Sequence, residues 1–159
     1  MFVLEREKPE DWWEVEALFD TCFAPGRTAL SSYRLRDGVP PVQTLSRVAR
    51  DESGNVGGAI RYWPVQVSGH PVLLLGPVAV HPTAQGEGLA ASMIRDSLAE
   101  AAEHWDRVML VGDYPYYKRF GFEVLDGVEM PPPTNPDRTL GLALHPGAWD
   151  GVKGEVGKA

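Results

Sequence analysis

Residues 76–90 read Gly-Pro-Val-Ala-Val-His-Pro-Thr-Ala-Gln-Gly-Glu-Gly-Leu-Ala, and this stretch decides the fold. The dipeptide Gly76-Pro77 interrupts an apolar strand predicted over 72–80. Proline cannot donate to a sheet ladder, and glycine inside a strand marks a bulge or a close backbone approach. A strand broken in this way tends to splay from its neighbour. We therefore expect it to leave backbone groups available to a ligand on Val78, Ala79 and Val80.

The loop 85–88 then opens a helix, with glycine at positions 86 and 88. Such a loop lets a phosphate approach the main chain, where the free N–H groups of the first helical turn and the helix dipole bind it. A glycine-rich helix start without a ligand is the alternative. A dinucleotide-binding turn also fits the spacing Gly86-x-Gly88-x-x-Ala91, but that turn follows its strand at once, whereas residues 81–85 intervene here.

Hydrophobic periodicity extends the prediction outward along the chain. Helices are predicted over 11–23, ended by Pro25-Gly26, and over 85–102, with a short helical turn at 115–120 and weaker helical potential in 27–38. The segment 131–136 is a loop. Together these elements predict one α/β domain over 1–159, with a mixed sheet whose first half is antiparallel. The predicted strands are 2–6, 43–50, 56–67, 72–80, 107–111, 122–125 and 139–144.

Composition narrows the function classes. The 159 residues include 15 basic and 22 acidic ones, and the net charge of −7 argues against nucleic-acid partners, which require a basic face. No apolar run approaches the ~18–20 residues that span a bilayer, and charge precedes any long apolar stretch at the N-terminus, so we expect a cytoplasmic protein without a membrane partner. Cys22 is the single cysteine, and the four histidines lack ligand spacing, so no metal is expected.

Two motifs carry a family resemblance. Residues 85–90, QGEGLA, resemble the Gln/Arg-x-x-Gly-x-Gly/Ala signature of the GNAT-superfamily N-acetyltransferases. Residues 116–122, YYKRFGF, are similar to the aromatic-Tyr-x-x-x-Gly-Phe motif of that family, most closely in its bacterial YhbS-like branch. The resemblance implies an α/β fold with a mixed, mostly antiparallel sheet, a splayed pair of central parallel strands and flanking helices.

The resemblance also implies an activity and a set of site residues. Acetyl-CoA would be the cosubstrate, with its pantetheine arm on the backbone of Val78 and Val80, and an amine of a small molecule or protein would attack the thioester directly. The N–H of Ala79 would hold the oxyanion, and Tyr117 would protonate the leaving thiolate. A monomer or homodimer is expected. The pyrophosphate would rest on main-chain N–H groups of Gln85, Gly86, Glu87, Gly88, Leu89 and Ala90.

Several roles stay open on the residues alone. A modestly lowered phenol pKa would suit Tyr117 as a donor, although this tyrosine could instead be a core aromatic. No spacing singles out the base that takes the proton of the amine; the candidates are Glu87, His81, Asp113 and a water chain.

Two further choices concern the surroundings of the site. The basic segment with Tyr33, Arg34 and Arg36 either lines the acceptor side or is a solvated loop. Cys22 is expected to pack on the apolar face of the first helix rather than to react. A non-catalytic domain of the same fold, holding acyl-CoA as a sensor or partner module, is the alternative to an enzyme.

Overall fold

The computed structural model describes residues 1–23 and 31–159. Its helices are α1 (Trp12–Cys22), α2 (Ser31–Arg34), α3 (Leu89–Ala101) and α4 (Tyr114–Tyr117), with 3-10 turns at Pro9–Asp11, Pro82–Ala84, Lys118–Phe120 and Pro136–Arg138. Its strands are β1 (Val3–Arg6), β2 (Arg47–Arg50), β3 (Val56–Val67), β4 (His70–Val80), β5 (Arg107–Val111), β6 (Glu123–Val124), β7 (Val128–Glu129), β8 (Thr139–Ala143) and β9 (Gly154–Lys158).

The main sheet runs in the order β1-β2-β3-β4-β5-β8-β6. Neighbouring strands are antiparallel except for the central pair β4 and β5, which is parallel. β9 continues the sheet beside the far end of β3 and pairs in parallel with β7. The predicted mixed, mostly antiparallel sheet with a central parallel pair is thereby confirmed, and it differs from the all-parallel sheet of a dinucleotide-binding fold.

A bulge in β4 sets the direction of its side chains. Ile60 pairs with Val78 and Tyr62 with Leu75, so Gly76 and Pro77 together stand opposite the single residue Arg61. Because side chains alternate along a strand, the extra residue reverses which side chains face which side of the sheet. Before the bulge the odd-numbered Leu73 and Leu75 face the core under α3; after it the even-numbered Val78 and Val80 do.

The same bulge lies at the point where β4 separates from β5. The two strands pair only at Leu73 with Val108 and Leu74 with Met109. Beyond these residues β4 continues to Val80, while β5 ends at Val111. A wedge-shaped gap therefore opens between two adjacent parallel strands, as the proline in β4 predicts.

Helices cover both faces of the sheet. The apolar face of α3 packs on one side, where Leu89, Met93, Ile94 and Ala101 are buried. On the other side Val15, Leu18 and Phe19 of α1 pack against β2, β3 and Ala79 of β4. Among the described residues, no helix is both long enough and apolar enough to cross a membrane.

Several predicted boundaries are wrong for local reasons. The strand expected over 43–50 begins at Arg47, because Leu45 and Ser46 close a turn on the Val42 carbonyl. The helix expected from residue 85 begins at Leu89, since Gly86 and Gly88 have φ of +90° and +72°, outside the right-handed helical region. The strand predicted over 122–125 shortens to β6, and β7 and β9 were not predicted. The predicted helix end at Pro25-Gly26 and the start of the segment 27–38 lie outside the described residues.

Candidate functional site

The gap between β4 and β5 holds the first cavity, of about 180 Å³. Its described walls include Gly76, Pro77 and Val78 of β4, Leu110 and Val111 of β5, and Tyr117 of α4. These walls are apolar apart from the backbone, Ser32, the two tyrosines Tyr33 and Tyr117, and Arg36, which borders the cavity on one side. The cavity thus presents two tyrosine side chains and unpaired strand backbone to whatever enters it.

Main-chain hydrogen bonding decides which amides face the gap. The N–H of His81 donates to the Gly57 carbonyl at 2.8 Å, and Ala59 pairs with Ala79 in the same ladder. Because N–H groups alternate in direction along a strand, the Ala79 N–H points to β3. The amides of Val78 and Val80 point to the opposite side, into the gap. The expected oxyanion donor, Ala79, is therefore corrected: the first N–H beyond Pro77 that is aimed at the cavity belongs to Val78.

Tyr117 is held by aromatic contacts. Its ring lies 5.0 Å from that of Tyr116 and 5.9 Å from that of Phe122, measured between centroids. Burial raises the pKa of Tyr117 to about 12, and the neighbouring Tyr116 adds to this. The expected lowering of this pKa is therefore wrong, because the ring that is placed in the gap is also taken out of water. The phenol remains a proton and hydrogen-bond donor throughout the neutral pH range.

Another cavity, named the third cavity below, measures about 390 Å³ and is bordered by the glycine-rich loop and the start of α3. It includes residues 78–80, so it meets the first cavity at Val78. The first intrahelical bond of α3 runs from the Ser92 N–H to the Gly88 carbonyl. The N–H groups of Leu89, Ala90 and Ala91 precede that bond and have no partner within the helix, which is the arrangement that binds a phosphate.

The space in front of this loop is open. A side chain built on Gly86 or Gly88 would meet no atom within 4 Å. Arg119 lines the same cavity, with its guanidinium 4.3 Å above the Tyr116 ring and its Nε donating to the Tyr116 carbonyl at 2.7 Å. A fixed cation and a row of main-chain donors therefore converge on one open groove, which fits an anionic, phosphate-bearing ligand.

The second cavity lies on the other side of Pro77 and measures about 420 Å³. It shares Tyr33, Arg36 and Pro77 with the first cavity, so the two are contiguous. Aromatic walls come from Trp12 and Trp63, and carboxylates from Glu16 and Asp37. Of the basic segment, Tyr33 and Arg36 line these two cavities, as the acceptor-side alternative expects. Arg34 is exposed and donates to the Pro132 carbonyl instead.

Other predicted residues lie away from the gap. Neither Glu87, His81 nor Asp113 is among the described residues that line the first cavity. Glu87 and Asp113 are exposed, and His81 Nδ1 bonds Thr83 at 2.8 Å. Cys22 is half-buried with its thiol donating to the Val80 carbonyl, and burial raises its pKa, which agrees with a packing role.

Three contributors to the site lack a local sequence signal. Gly112 gives room to the catalytic candidate, because a side-chain carbon there would lie 2.7 Å from Tyr117 Cε2. Arg61 is fully buried, bonded twice to Glu7 at 3.0 and 2.9 Å, and lies 3.8 Å above the Trp12 ring, so it fixes one wall of the second cavity. Arg119 sits inside the quoted aromatic motif, whose pattern assigns it no role.

A family model described as an acetyltransferase (GNAT) domain matches residues 4–125. The curated protein YhbS of Escherichia coli, named an uncharacterized N-acetyltransferase, is 34% identical over 126 residues, which cover 77% of this chain and 74% of that protein.

Two solved structures are similar along nearly the whole chain. The crystal structure of E. coli YhbS in complex with CoA has a TM-score of 0.85 and 28% identity, covering 99% of this chain and 89% of the other. A GNAT-family acetyltransferase from Brucella melitensis in complex with acetyl-CoA has a TM-score of 0.74 and 27% identity, covering 100% and 96%.

Proposed function

The chain belongs to the GNAT acetyltransferase family, and on that premise we propose that it transfers an acetyl group from acetyl-CoA to an amine of a small molecule or protein. The observation that carries the proposal is the continuous path from the groove at α3 to the gap beside Tyr117. The YhbS and Brucella proteins were crystallised with CoA and acetyl-CoA.

The groove suits the nucleotide end of acetyl-CoA. The N–H groups of Leu89, Ala90 and Ala91, the dipole of α3 and the Arg119 guanidinium would hold the pyrophosphate. The glycines at 86 and 88 leave no side chain between that anion and the main chain. Glu87, whose side chain is exposed, would contribute through its backbone alone.

The gap between β4 and β5 suits the pantetheine arm. The Val80 N–H and the Val78 carbonyl face the gap in place of the missing strand pairing, and they would pair with the amides of the arm. The thioester, when bound, supplies the acyl group and a thiolate leaving group. Its carbonyl oxygen would lie at the Val78 N–H, which would stabilise the negative charge that develops there.

The chemistry is a direct transfer. The nitrogen of the amine bonds to the acetyl carbon, the carbon–sulfur bond breaks, and its electron pair leaves with the sulfur. Tyr117 would donate a hydrogen bond or proton to that sulfur, since its high pKa keeps the phenol protonated. The proton lost by the amine would leave toward the second cavity, which carries the carboxylates of Glu16 and Asp37.

Binding is tested at the glycine loop. Gly88→Val should weaken acetyl-CoA affinity about 10–100-fold in isothermal titration, the loss expected from hydrogen bonds to a charged group. Gly54→Val is the matched control, because Gly54 also has positive φ and open surroundings but lies in the turn between β2 and β3. Unchanged affinity in a folded Gly88→Val protein would contradict the proposed binding site.

Measuring turnover distinguishes an acetyltransferase from a non-catalytic sensor domain. Thiol release should accompany acetylation when acetyl-CoA is supplied with a panel of amines. Tight acetyl-CoA binding with no thiol release for any amine would favour the non-catalytic alternative. The presence of Tyr117 in the lining of the first cavity favours the enzyme.

A further inference from the structure

The segment 31–40 forms one wall of the first and second cavities and is named the wall segment. Tyr33 and Arg36 line both cavities, and Asp37 lines the second. Among the described residues, no strand pairs with this segment. The main-chain hydrogen bonds that it makes with other described residues are local, from the Arg36 N–H to the Tyr33 carbonyl at 3.0 Å and from the Val39 N–H to the Arg36 carbonyl at 2.9 Å. Its position relative to the sheet therefore depends on contacts made by side chains.

Leu35 fastens the wall segment to the sheet. This side chain is 5% exposed and belongs to a buried apolar cluster with Trp63 of β3 and Val156 of β9. Hydrophobic contact is non-directional. It keeps the segment on the sheet, but by itself it does not fix the orientation in which Tyr33 and Arg36 face the cavities.

Two cationic side chains add directional bonds. Arg34 Nη1 donates to the Pro132 carbonyl at 2.8 Å, and Lys158 Nζ donates to the Asp37 carbonyl at 2.6 Å. Hydrogen bonds from charged donors are stronger than neutral ones, and they require a defined geometry. The wall segment is thus held at two points, to the loop 131–136 and to β9.

The sheet sets the direction from which the second bond comes. Lys158 is the last residue of β9 and pairs with Val65 of β3. Side chains directly opposite each other in an antiparallel pair lie on one face of the sheet. Val65 and Leu35 belong to the same buried cluster, so the Lys158 side chain leaves the sheet on the face where the wall segment lies. The ammonium group therefore reaches the Asp37 carbonyl from a fixed base.

From these observations we propose that Arg34 and Lys158 are positioning residues for the acceptor amine. Neither is among the described residues that line the three cavities of the site, so each acts through the wall segment. The inference rests on the proposed acetyl transfer. When one bond is lost, a smaller fraction of molecules holds Tyr33 and Arg36 in place, and the apparent affinity for the acceptor falls with that fraction. The described lining of the groove at α3 includes no residue of the wall segment, so acetyl-CoA affinity changes little.

Steady-state kinetics test the two bonds. Arg34→Met and Lys158→Met remove the donors and keep most of each apolar stem. Each should raise the KM of the most rapidly acetylated amine of the panel about 2–10-fold, the equivalent of one net hydrogen bond, and leave the KM of acetyl-CoA within about twofold. Arg34→Lys and Lys158→Arg keep a cationic donor and should restore most of the loss. Lys153→Met is the matched control and should match the wild type, because Lys153 is exposed and lies 3.8 Å from Asp126 rather than at the wall segment.

Hydrogen–deuterium exchange supplies a measurement that does not depend on activity. In both methionine variants the peptide over 33–39 should exchange faster than in the wild type, because the Arg36 and Val39 amides lose protection when the wall segment shifts. Exchange in the peptide over 85–95 should stay the same.

Each contrary result has a separate meaning. Unchanged exchange over 33–39 would show that the two bonds do not hold the wall segment, and would overturn the inference. Faster exchange with an unchanged acceptor KM would overturn the positioning role. Equal rises in the KM of both substrates, or no recovery in Arg34→Lys and Lys158→Arg, would indicate a general structural role and overturn it as well. Acetylation of no amine by the wild type would overturn the proposed function and the inference with it.

Discussion

Replacing Tyr117 with phenylalanine removes one hydroxyl and keeps the ring. The centroid distances to Tyr116, Phe120 and Phe122, 5.0, 6.1 and 5.9 Å, are contacts that phenylalanine also makes. Folding should therefore survive, with the melting temperature nearly unchanged. The lost hydroxyl would act only on the departing sulfur, so kcat should fall while KM for acetyl-CoA stays the same.

The size of the fall follows from the environment of the phenol. With a pKa of about 12 against ~8.5 for an ordinary thiol, complete proton transfer to a thiolate in water would cost about 5 kcal/mol. A hydrogen bond to the developing charge contributes about 1.5–3 kcal/mol, or about 10–150-fold in rate. General-acid catalysis contributes about 10²–10⁴-fold. We expect a loss of about 10²-fold, where these ranges meet.

The assay is steady-state thiol release at saturating acetyl-CoA with an accepted amine, for Tyr117→Phe and the matched control Tyr116→Phe. Tyr116 lines the third cavity rather than the first and should lose little kcat. The ratio of wild type to Tyr117→Phe should stay constant from pH 7 to pH 10, because the phenol is protonated throughout that range. Equal losses in the two variants, or a ratio that declines toward pH 10, would refute the reasoning.

Three further outcomes are expected. Gly112→Ala should lower kcat more than it lowers acetyl-CoA affinity, because the added carbon would lie 2.7 Å from the Tyr117 ring and displace that ring. An unchanged kcat in a folded variant would show that the close packing of Gly112 against Tyr117 is unimportant. Burial alone would raise the pKa of Glu100, but bonds to Arg6 and Arg47 lower this pKa overall. The carboxylate therefore stabilises the fold at neutral pH and loses that contribution as pH falls below about 4. In chemical denaturation, Glu100→Gln should lose less of its unfolding free energy between neutral and acidic pH than the wild type does. Burial raises the pKa of Cys22, so at pH 7 it should react with iodoacetamide more slowly than an unfolded control, and equal rates would contradict its packing role.

Local pattern was sufficient for much of the fold. The spacing of Leu89, Met93 and Ala101 predicted the buried face of α3, since helical periodicity is a property of neighbouring residues. Gly76-Pro77 predicted the break in β4, because proline lacks an amide hydrogen wherever it occurs. The two glycines at 86 and 88 predicted an open main-chain groove. Because their φ angles are positive, the helix begins at residue 89 rather than at the predicted residue 85.

Pairing between distant strands was beyond the reach of local pattern. β9, with the sequence GEVGK, carries little strand propensity and is ordered by pairing with β3 and β7. The direction of the Val78 and Ala79 amides depends on the register between β3 and β4, which a strand prediction does not contain. That register alone moves the proposed oxyanion donor from Ala79 to its neighbour Val78.

The residues of the site likewise divide into features that the sequence predicts and features that only the tertiary structure decides. Sequence alone determined that a glycine-rich loop before a helix and an aromatic motif with Tyr117 are present, since each is a contiguous run of residues. Tertiary structure alone decided that Tyr117 is partly buried, and this desolvation reverses the expected direction of its pKa shift. It also decided that Arg36 lies between two cavities while Arg34 lies on the surface. Burial and charge pairing are set by elements far apart in the chain, so two arginines of one short segment have different surroundings.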